Sequence, residues 1–226
     1  MTSGRKGIIA CEGIKPELTQ IIEETSADVD CCFIRQELHR HPEYIKDEVE
    51  AVLNAGAGFP CEEVVLGYGL CSNGVVGIEA RGCRLIIPKV HDCIGMYLGS
   101  LARYKAMFDQ RPGTYYLTTG WIEKGKDPLT IMREEYAARV SLADAEEGMR
   151  EELQYYSTLA FIDLGLRPDM ERFKKIAREN AEYFGLEYIE VQGNWSLLRK
   201  LVEGPYDPSE FVIVEPGGRV EQKMFL

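Results

Sequence analysis

Val64-Val65-Leu66-Gly67-Tyr68-Gly69-Leu70-Cys71 is an apolar run that leads into a short glycine-rich turn and a cysteine. A short apolar run bounded by turn residues predicts a buried β-strand. The same arrangement occurs twice more, where Cys11 follows Gly7-Ile8-Ile9-Ala10 and where Cys93 closely follows Leu85-Ile86-Ile87-Pro88. Strands that end in such turns are typical of parallel sheets, in which ligands bind beyond the carboxyl ends of the strands.

The rest of the chain alternates predicted strands with predicted helices. Strands are predicted at 6–10, 29–34, 63–66, 84–87, 114–118, 158–164, 186–191 and 211–215. Helices are predicted at 14–26, 43–55, 94–109, 128–140, 142–157, 169–184 and 196–203, with the start of a short helix at 75–80. This alternation predicts an α/β fold, a parallel sheet with helices on both faces. It fits one domain over 1–226, or two Rossmann-like lobes, 1–121 and 158–226, joined by a helical segment, 122–157.

Composition and charge narrow the class of protein. The net charge is -11 and no run of Lys and Arg occurs, which argues against a nucleic-acid partner. No apolar stretch reaches the roughly 18–20 residues that span a bilayer, so we expect no membrane partner. The apolar segment after the first seven residues is too short for a signal-peptide core, so we predict a cytoplasmic protein.

The seven cysteines are therefore expected to be reduced thiols. We expect four of them to be small buried hydrophobic residues outside any site: Cys31, Cys32, Cys61 and Cys83. Cys11, Cys71 and Cys93 are the predicted metal ligands, because neighbouring parallel strands would bring their thiols into one cleft. Their sulfur atoms should then lie within roughly 4–7 Å of one another. The cofactor would be an iron–sulfur cluster or a single zinc, iron or nickel ion.

Polar and glycine residues beside these cysteines are candidates for ligand binding. Tyr68, Gly69, Ser72 and Asn73 are predicted to contact a cofactor, since glycine lets the backbone approach a ligand closely. The alternative is a tight turn around a buried cysteine. Neither a dinucleotide-binding GxGxxG nor a P-loop is present.

His91 and Asp92, just before Cys93, are the predicted catalytic residues. His91 suits a metal ligand or a general base, and Asp92 could orient it. The alternative is that Asp92 simply caps the next helix.

Two further residues are predicted to bind the cofactor or its ligand. His39 lies in Leu38-His39-Arg40-His41-Pro42-Glu43, which could bind an anion, add a metal ligand or merely cap a helix. Trp121 follows a predicted strand, where it could wall a small ligand, shield a cluster or pack over the sheet. We expect Tyr68, His91 and Trp121 to line one pocket with the cysteines.

Spacing excludes several cofactor classes. CxxxCxxC is absent, which argues against a radical-SAM enzyme. CxxC pairs are absent as well, which argues against a structural zinc ribbon or a thioredoxin-type centre. The corrinoid-binding DxHxxG pattern is missing as well.

Several motifs together resemble domain of unknown function family 1638. They are Ala10-Cys11, Leu38-His39 with Pro42-Glu43, Leu66 to Gly74, Ile87-Pro88 with Val90 to Ile94, Leu98-Gly99-Ser100, Gly113 to Trp121 and Phe211 to Gly217. That family occurs in anaerobic bacteria and methanogenic archaea, often alongside corrinoid-dependent methyltransferase systems. The resemblance implies anaerobic one-carbon or methylamine metabolism, with a corrinoid as a further candidate cofactor and a corrinoid protein or methyltransferase as a candidate partner. It supplies no reaction.

Three functions are compatible with these patterns, and they leave open whether the protein is an enzyme. The leading hypothesis is a metal- or iron–sulfur-binding protein whose cysteine-ligated centre binds or acts on a small molecule. The second is an accessory protein that handles a corrinoid or a metal for a methyltransferase system. The third is a metal-free thiol enzyme that uses Cys71 or Cys93 with His91 as base.

Overall fold

The computed structural model describes residues 6–55, 62–165 and 168–225, and it confirms an α/β fold. Cys61 lies outside the described residues. The strands are β1 Lys6–Cys11, β2 Val29–Ile34, β3 Glu63–Gly67, β4 Arg84–Pro88, β5 Thr114–Leu117, β6 Thr158–Asp163, β7 Glu187–Gln192 and β8 Phe211–Val214. The α-helices are α1 Lys15–Thr25, α2 Ile45–Asn54, α3 Cys93–Leu98, α4 Leu101–Gln110, α5 Thr119–Glu123, α6 Pro128–Thr130, α7 Leu142–Leu153, α8 Met170–Phe184 and α9 Ser196–Glu203.

The strands form two sheets. The larger has the order β2-β1-β3-β4-β8 and the smaller has the order β5-β6-β7. All described pairs are parallel except β4 with β8, which is antiparallel. The middles of β1, β3 and β4 are fully buried, as their continuous apolar sequences require in a sheet covered on both faces.

Helices cover both faces of the larger sheet. Ile45 and Val49 of α2 join Ile9, Leu66 and Ile87 in a buried cluster on one face. On the other face α1 packs against α9, and α9 also contacts β3. None of the helices in the described ranges is long and apolar enough to cross a bilayer.

The structure differs from the sequence-based prediction in three segments. The helix expected at 94–109 is two helices, because Gly99 adopts a left-handed conformation with φ of 82° and ends α3. The helix expected at 128–140 is the short α6 followed by a π-helix, Ile131–Tyr136. Residues 75–77 form turns rather than the start of a helix, and Glu79 makes an isolated antiparallel bridge with Arg219.

The chain divides into two compact units. The first contains residues up to Arg103 and those from Asn194 onward, and the second contains Tyr104–Gly193. The larger sheet belongs to the first unit and the three-stranded sheet to the second. The 122–157 segment therefore lies wholly within the second unit.

Inside the second unit, a buried polar network fixes the start of α6. Asn180 on α8 is fully buried, and its Nδ2 donates to Asp127 Oδ1 at 2.8 Å. Its Oδ1 accepts from the backbone N–H of Leu129 at 2.8 Å. Thr130 Oγ1 donates to the other carboxylate oxygen of Asp127 at 2.7 Å, so each polar group of this cap has a partner.

Gly67 is required where β1 and β3 pack closest. A Cβ at this position would lie 2.6 Å from Ala10 Cβ and 3.0 Å from Ile14 Cδ1. We therefore expect Gly67→Ala to lower the free energy of unfolding by about 1–3 kcal/mol through overpacking. Urea unfolding followed by circular dichroism measures this. Gly148→Ala is the control, because nothing lies within 4 Å of a Cβ there and alanine should stabilise α7 by about 0.5–1 kcal/mol. Equal stability of wild type and Gly67→Ala would contradict the packing argument.

Candidate functional site

The strand order of the larger sheet reverses between β1 and β3. From β1 the chain moves to β2 on one side, then crosses to β3 and β4 on the other. In open parallel sheets, this reversal of strand order leaves a crevice beyond the carboxyl ends, where ligands bind. Cys11 is the last residue of β1, and Tyr68 follows β3 directly. Two of the predicted site residues therefore lie on either side of the reversal point.

The turn after β1 holds Cys11 in place. The Cys11 Sγ accepts a hydrogen bond from the backbone N–H of Gly13 at 3.3 Å. The hydroxyl of Tyr97, a fully buried residue of α3, donates to the carbonyl oxygen of Gly13 at 2.7 Å. The same hydroxyl lies 3.1 Å from Oε2 of the buried Glu17. A buried side chain of another element thus supports the turn that positions the first thiol.

The loops after β3 and β4 are joined by backbone hydrogen bonds beyond the ends of the strands. Leu70 N–H donates to the Val90 carbonyl at 2.9 Å, and Cys71 N–H donates to the His91 carbonyl at 2.8 Å. A Cβ on Gly69 would lie 2.7 Å from the Val90 oxygen and 2.8 Å from the Asp92 nitrogen. Only glycine allows the two backbones to approach in this way. The predicted contact of Gly69 with a cofactor stays a prediction.

Three consecutive non-glycine residues in the β3 loop have left-handed backbone conformations. Their φ angles are 47° for Cys71, 53° for Ser72 and 68° for Asn73. Each such residue costs about 1–2 kcal/mol relative to the right-handed conformation. Ser72 and Asn73 are exposed, whereas the Cys71 side chain is only partly accessible. Strain of this kind clusters at functional sites, where the surrounding structure holds it in place.

Asp92 is the N-cap of α3, the alternative weighed from the sequence. Its Oδ1 accepts a hydrogen bond from the backbone N–H of Ile94 at 2.9 Å. This cap fixes the first residue of α3, which is Cys93. The catalytic role of Asp92 stays a prediction, but its carboxylate lies close enough to raise the pKa of both Cys71 and Cys93.

The three predicted ligand cysteines lie close enough to affect one another's ionisation. Burial raises the pKa of the Cys71 thiol to about 12, with further contributions from Asp92 and Cys11. Burial also raises the pKa of Cys93 well above its ordinary value, and Asp92, Cys11 and Cys71 raise it further. Both thiols are therefore protonated at neutral pH when no cation is nearby.

The remaining predicted residues lie in different settings. His91 has an exposed side chain, although its carbonyl joins the two loops. His39 is exposed on the 3₁₀ helix Gln36–Arg40, with Nδ1 2.8 Å from the Gln36 carbonyl oxygen. Trp121 belongs to the second unit, where it packs against the α8 side of the small sheet. The predicted shared pocket of Tyr68, His91 and Trp121 stays a prediction.

Two of the four cysteines that were predicted to be buried hydrophobic residues are not fully buried. Cys31 is exposed, because β2 is the edge strand of its sheet. Cys32 is half-buried beside the same cluster as Cys11 and Cys71, and its thiol contributes to the raised pKa of Tyr68. Cys83 is buried, as predicted. It precedes β4 and so lies at the opposite edge of the sheet from the three ligand candidates.

Sequence reasoning missed Gln36, which follows β2 at the same edge of the sheet. Its side chain is 1% exposed, and neither its Nε2 nor its Oε1 has a hydrogen-bond partner among the described residues. The Tyr68 hydroxyl is likewise buried and without a described partner. A polar residue close after a predicted strand was the available signal, the same one that singled out His91 and Asp92.

The described ranges contain no group of three His, Cys, Asp or Glu side chains arranged to hold one metal ion.

The family described as "Protein of unknown function (DUF1638)" matches residues 33–202. The chain belongs to this family. The family match includes Cys71 and Cys93, whereas Cys11 precedes the matched range. No curated protein and no solved structure matches the chain. Membership in the DUF1638 family confirms the resemblance found in the sequence and leaves the reaction to be inferred from the site.

The raised thiol pKa values predict a loss of stability at alkaline pH in the metal-free protein. Below the ordinary cysteine pKa of 9.0, Cys71 is protonated in both the folded and the unfolded chain. Above it the unfolded chain loses the proton, while the folded protein keeps it until about pH 12. Stability should therefore fall as pH rises through this window, by up to about 1.4 kcal/mol per pH unit for each such thiol. Urea unfolding at several pH values should show a shallower fall for Cys71→Ser, and parallel curves would contradict this assignment.

Proposed function

We propose that this DUF1638 protein binds an iron–sulfur cluster through Cys11, Cys71 and Cys93, and that the centre binds or transforms a small molecule. The observation that supports this most is that Cys11, Cys71 and Cys93 follow β1, β3 and β4 at one edge of the sheet, near enough for Cys11 and Cys71 to raise the pKa of Cys93. Thiolates are the ligands of choice for iron–sulfur clusters.

Thiols that do not converge on one point suit a cluster better than a single ion. Sulfur atoms bound to one zinc or iron must all lie about 2.3 Å from the same point. No three described ligand side chains are arranged in that way. A cluster attaches each cysteine to a different iron atom, so its ligands stand farther apart while still sharing one cavity.

The electrostatics of the site also favour a bound cation. Without a cation, burial and the nearby Asp92 and Cys11 side chains raise the pKa of Cys71 and Cys93 and so oppose loss of their protons. Iron bound to the sulfur atoms would remove this opposition, because coordination deprotonates a thiol outright. When bound, the cluster would supply a Lewis-acidic or redox-active iron, and three cysteine ligands would leave a coordination position for a small molecule.

The residues of the chain would supply the rest of the site. The turn at Gly13 and the cap at Asp92 hold Cys11 and Cys93 in fixed positions. The Tyr68 hydroxyl has a raised pKa, so it remains a hydrogen-bond donor over the physiological range.

The metal-free thiol enzyme is the weaker hypothesis. A nucleophilic cysteine needs a lowered pKa, and the pKa values of Cys71 and Cys93 are both raised. The anaerobic one-carbon setting, the corrinoid cofactor and the methyltransferase partner stay predictions from the family resemblance.

The proposal predicts selective loss of iron when the ligands are replaced. Protein purified without oxygen should be brown and contain iron and acid-labile sulfide. Three variants should each lose most of this iron: Cys11→Ala, Cys71→Ala and Cys93→Ala. Their free energy of unfolding should fall by only about 1–2 kcal/mol, the cost of a small cavity. Iron and sulfide analysis with the visible absorption spectrum measures the outcome.

Cys83→Ala is the matched control, because Cys83 is buried at the opposite edge of the same sheet. It should retain the full iron content. Loss of iron in Cys83→Ala with retention in Cys71→Ala would show that Cys83, and not Cys71, is a ligand of the cluster. A colourless wild-type protein that takes up no iron and sulfide on reconstitution would refute the proposal.

A further inference from the structure

Two buried polar side chains at the carboxyl edge of the larger sheet have no hydrogen-bond partner among the described residues. Gln36 is 1% exposed, and both its amide nitrogen and its amide oxygen are unpartnered. Tyr68 is 4% exposed, and its hydroxyl is unpartnered too. Buried polar side chains are nearly always hydrogen-bonded, and leaving one unpaired is costly. Three polar atoms at one edge of the sheet are therefore available to hydrogen-bond a bound molecule.

The fold brings these two residues to the same part of the site. Gln36 comes two residues after β2, Tyr68 comes directly after β3, and β1 with Cys11 lies between those strands. The Tyr68 side chain is within electrostatic reach of Cys11 on β1, Cys32 on β2 and Glu48 on α2.

Glu48 connects the Tyr68 side chain to the segment that carries Gln36. Its Oε1 accepts a hydrogen bond from Arg35 Nη2 at 3.3 Å, and Arg35 precedes Gln36. The unpartnered hydroxyl and the unpartnered amide thus belong to segments that flank β1 at the same edge of the sheet.

We propose that Gln36 and Tyr68 bind an uncharged ligand that carries a cis-amide group, as in a primary carboxamide or a lactam. This inference rests on the proposed function, because it names the chemical class of the small molecule that binds at the proposed iron–sulfur centre. Nothing in the family assignment gives Gln36 a role.

The donor and acceptor pattern selects this class. A glutamine amide offers one donor edge and one acceptor edge side by side, so it pairs in full with a group that accepts and donates at adjacent atoms. A carboxylate cannot donate to Oε1, and an ammonium or guanidinium group cannot accept from Nε2. The Tyr68 hydroxyl can donate to the second lone pair of the ligand carbonyl.

Local charge argues in the same direction. Asp92 lies among the thiols and Glu48 lies near Tyr68, so an anionic ligand would meet like charge. An amide satisfies the unpartnered atoms without bringing a charge into a buried site.

The test uses the full-length protein and γ-butyrolactam, a small cis-amide, as the probe. Titration followed by ¹⁵N–¹H NMR should shift the side-chain amide signals of Gln36, which their absence from Gln36→Met identifies. N-methyl-γ-butyrolactam has no N–H donor and should bind about tenfold more weakly, the effect of one lost hydrogen bond at the upper end of its usual range. Acetate should not compete. Equal binding of the two lactams, or displacement by acetate, would overturn the proposal.

The Gln36→Met variant separates a ligand-binding role from a structural one. It should lose lactam binding yet melt at the same or a higher temperature, because an unpartnered amide is replaced by an apolar chain of similar size. Gln20→Met is the control, since Gln20 is half-buried on α1 and donates to Glu24 there, and it should leave binding unchanged. A melting temperature several degrees lower in Gln36→Met would mean that the amide is satisfied internally, which overturns the proposal.

Iron content measured in parallel distinguishes the two proposals. Wild-type protein that carries iron and sulfide but does not bind the lactam would refute the role of Gln36 and Tyr68 alone. Wild-type protein that binds the lactam through Gln36 but carries no iron would refute the cluster and support the amide site.

Discussion

The pair of backbone hydrogen bonds that joins residues 70–71 to residues 90–91 is the interaction on which the rest of the site depends. They continue the pairing of β3 with β4 past the ends of both strands, so that two loops behave as one rigid element. Cys71 and the residues around Cys93 then have fixed relative positions without any ligand. Because Gly69 has no side chain, the loops come close enough for these bonds to form. A site built in this way needs little reorganisation when a ligand binds, which lowers the entropic cost of binding.

Much of the fold follows from local sequence. The continuous apolar runs of β1, β3 and β4 predicted their burial, and the order of strands and helices predicted the parallel core. The direction of β8 was not predictable, because an apolar run looks the same whichever way it pairs. The division between two sheets was not predictable either, since the partner of β5 is set by long-range packing rather than by its own four residues. The π-helix after α6 has no reliable local signature. Gly99 was an available signal for the end of α3, but the predicted helix at 94–109 ran through it.

The predictability of the site has a similar limit. Cysteines after buried strands could be identified because the carboxyl ends of parallel strands share an edge. Gln36 satisfies the same rule, but a glutamine in a sequence carries no sign that its amide will be buried without a partner. That property depends on the packing of β2, the following 3₁₀ helix and the core beneath them. The left-handed run at 71–73 was equally hidden, since Ser and Cys have no preference for that conformation.

The first unit is discontinuous in sequence, and this has a consequence for how the protein is made. α9 packs on α1, and β8 covers the outer edge of β4, yet both follow the whole second unit along the chain. During synthesis, β1, β3 and β4 leave the ribosome long before the elements that complete their sheet. Their apolar surfaces and the three thiols would then be exposed in an unfinished sheet while residues 104–193 are translated. Loading of the proposed cluster would therefore belong to a stage after translation, when β8 and α9 have completed the first unit.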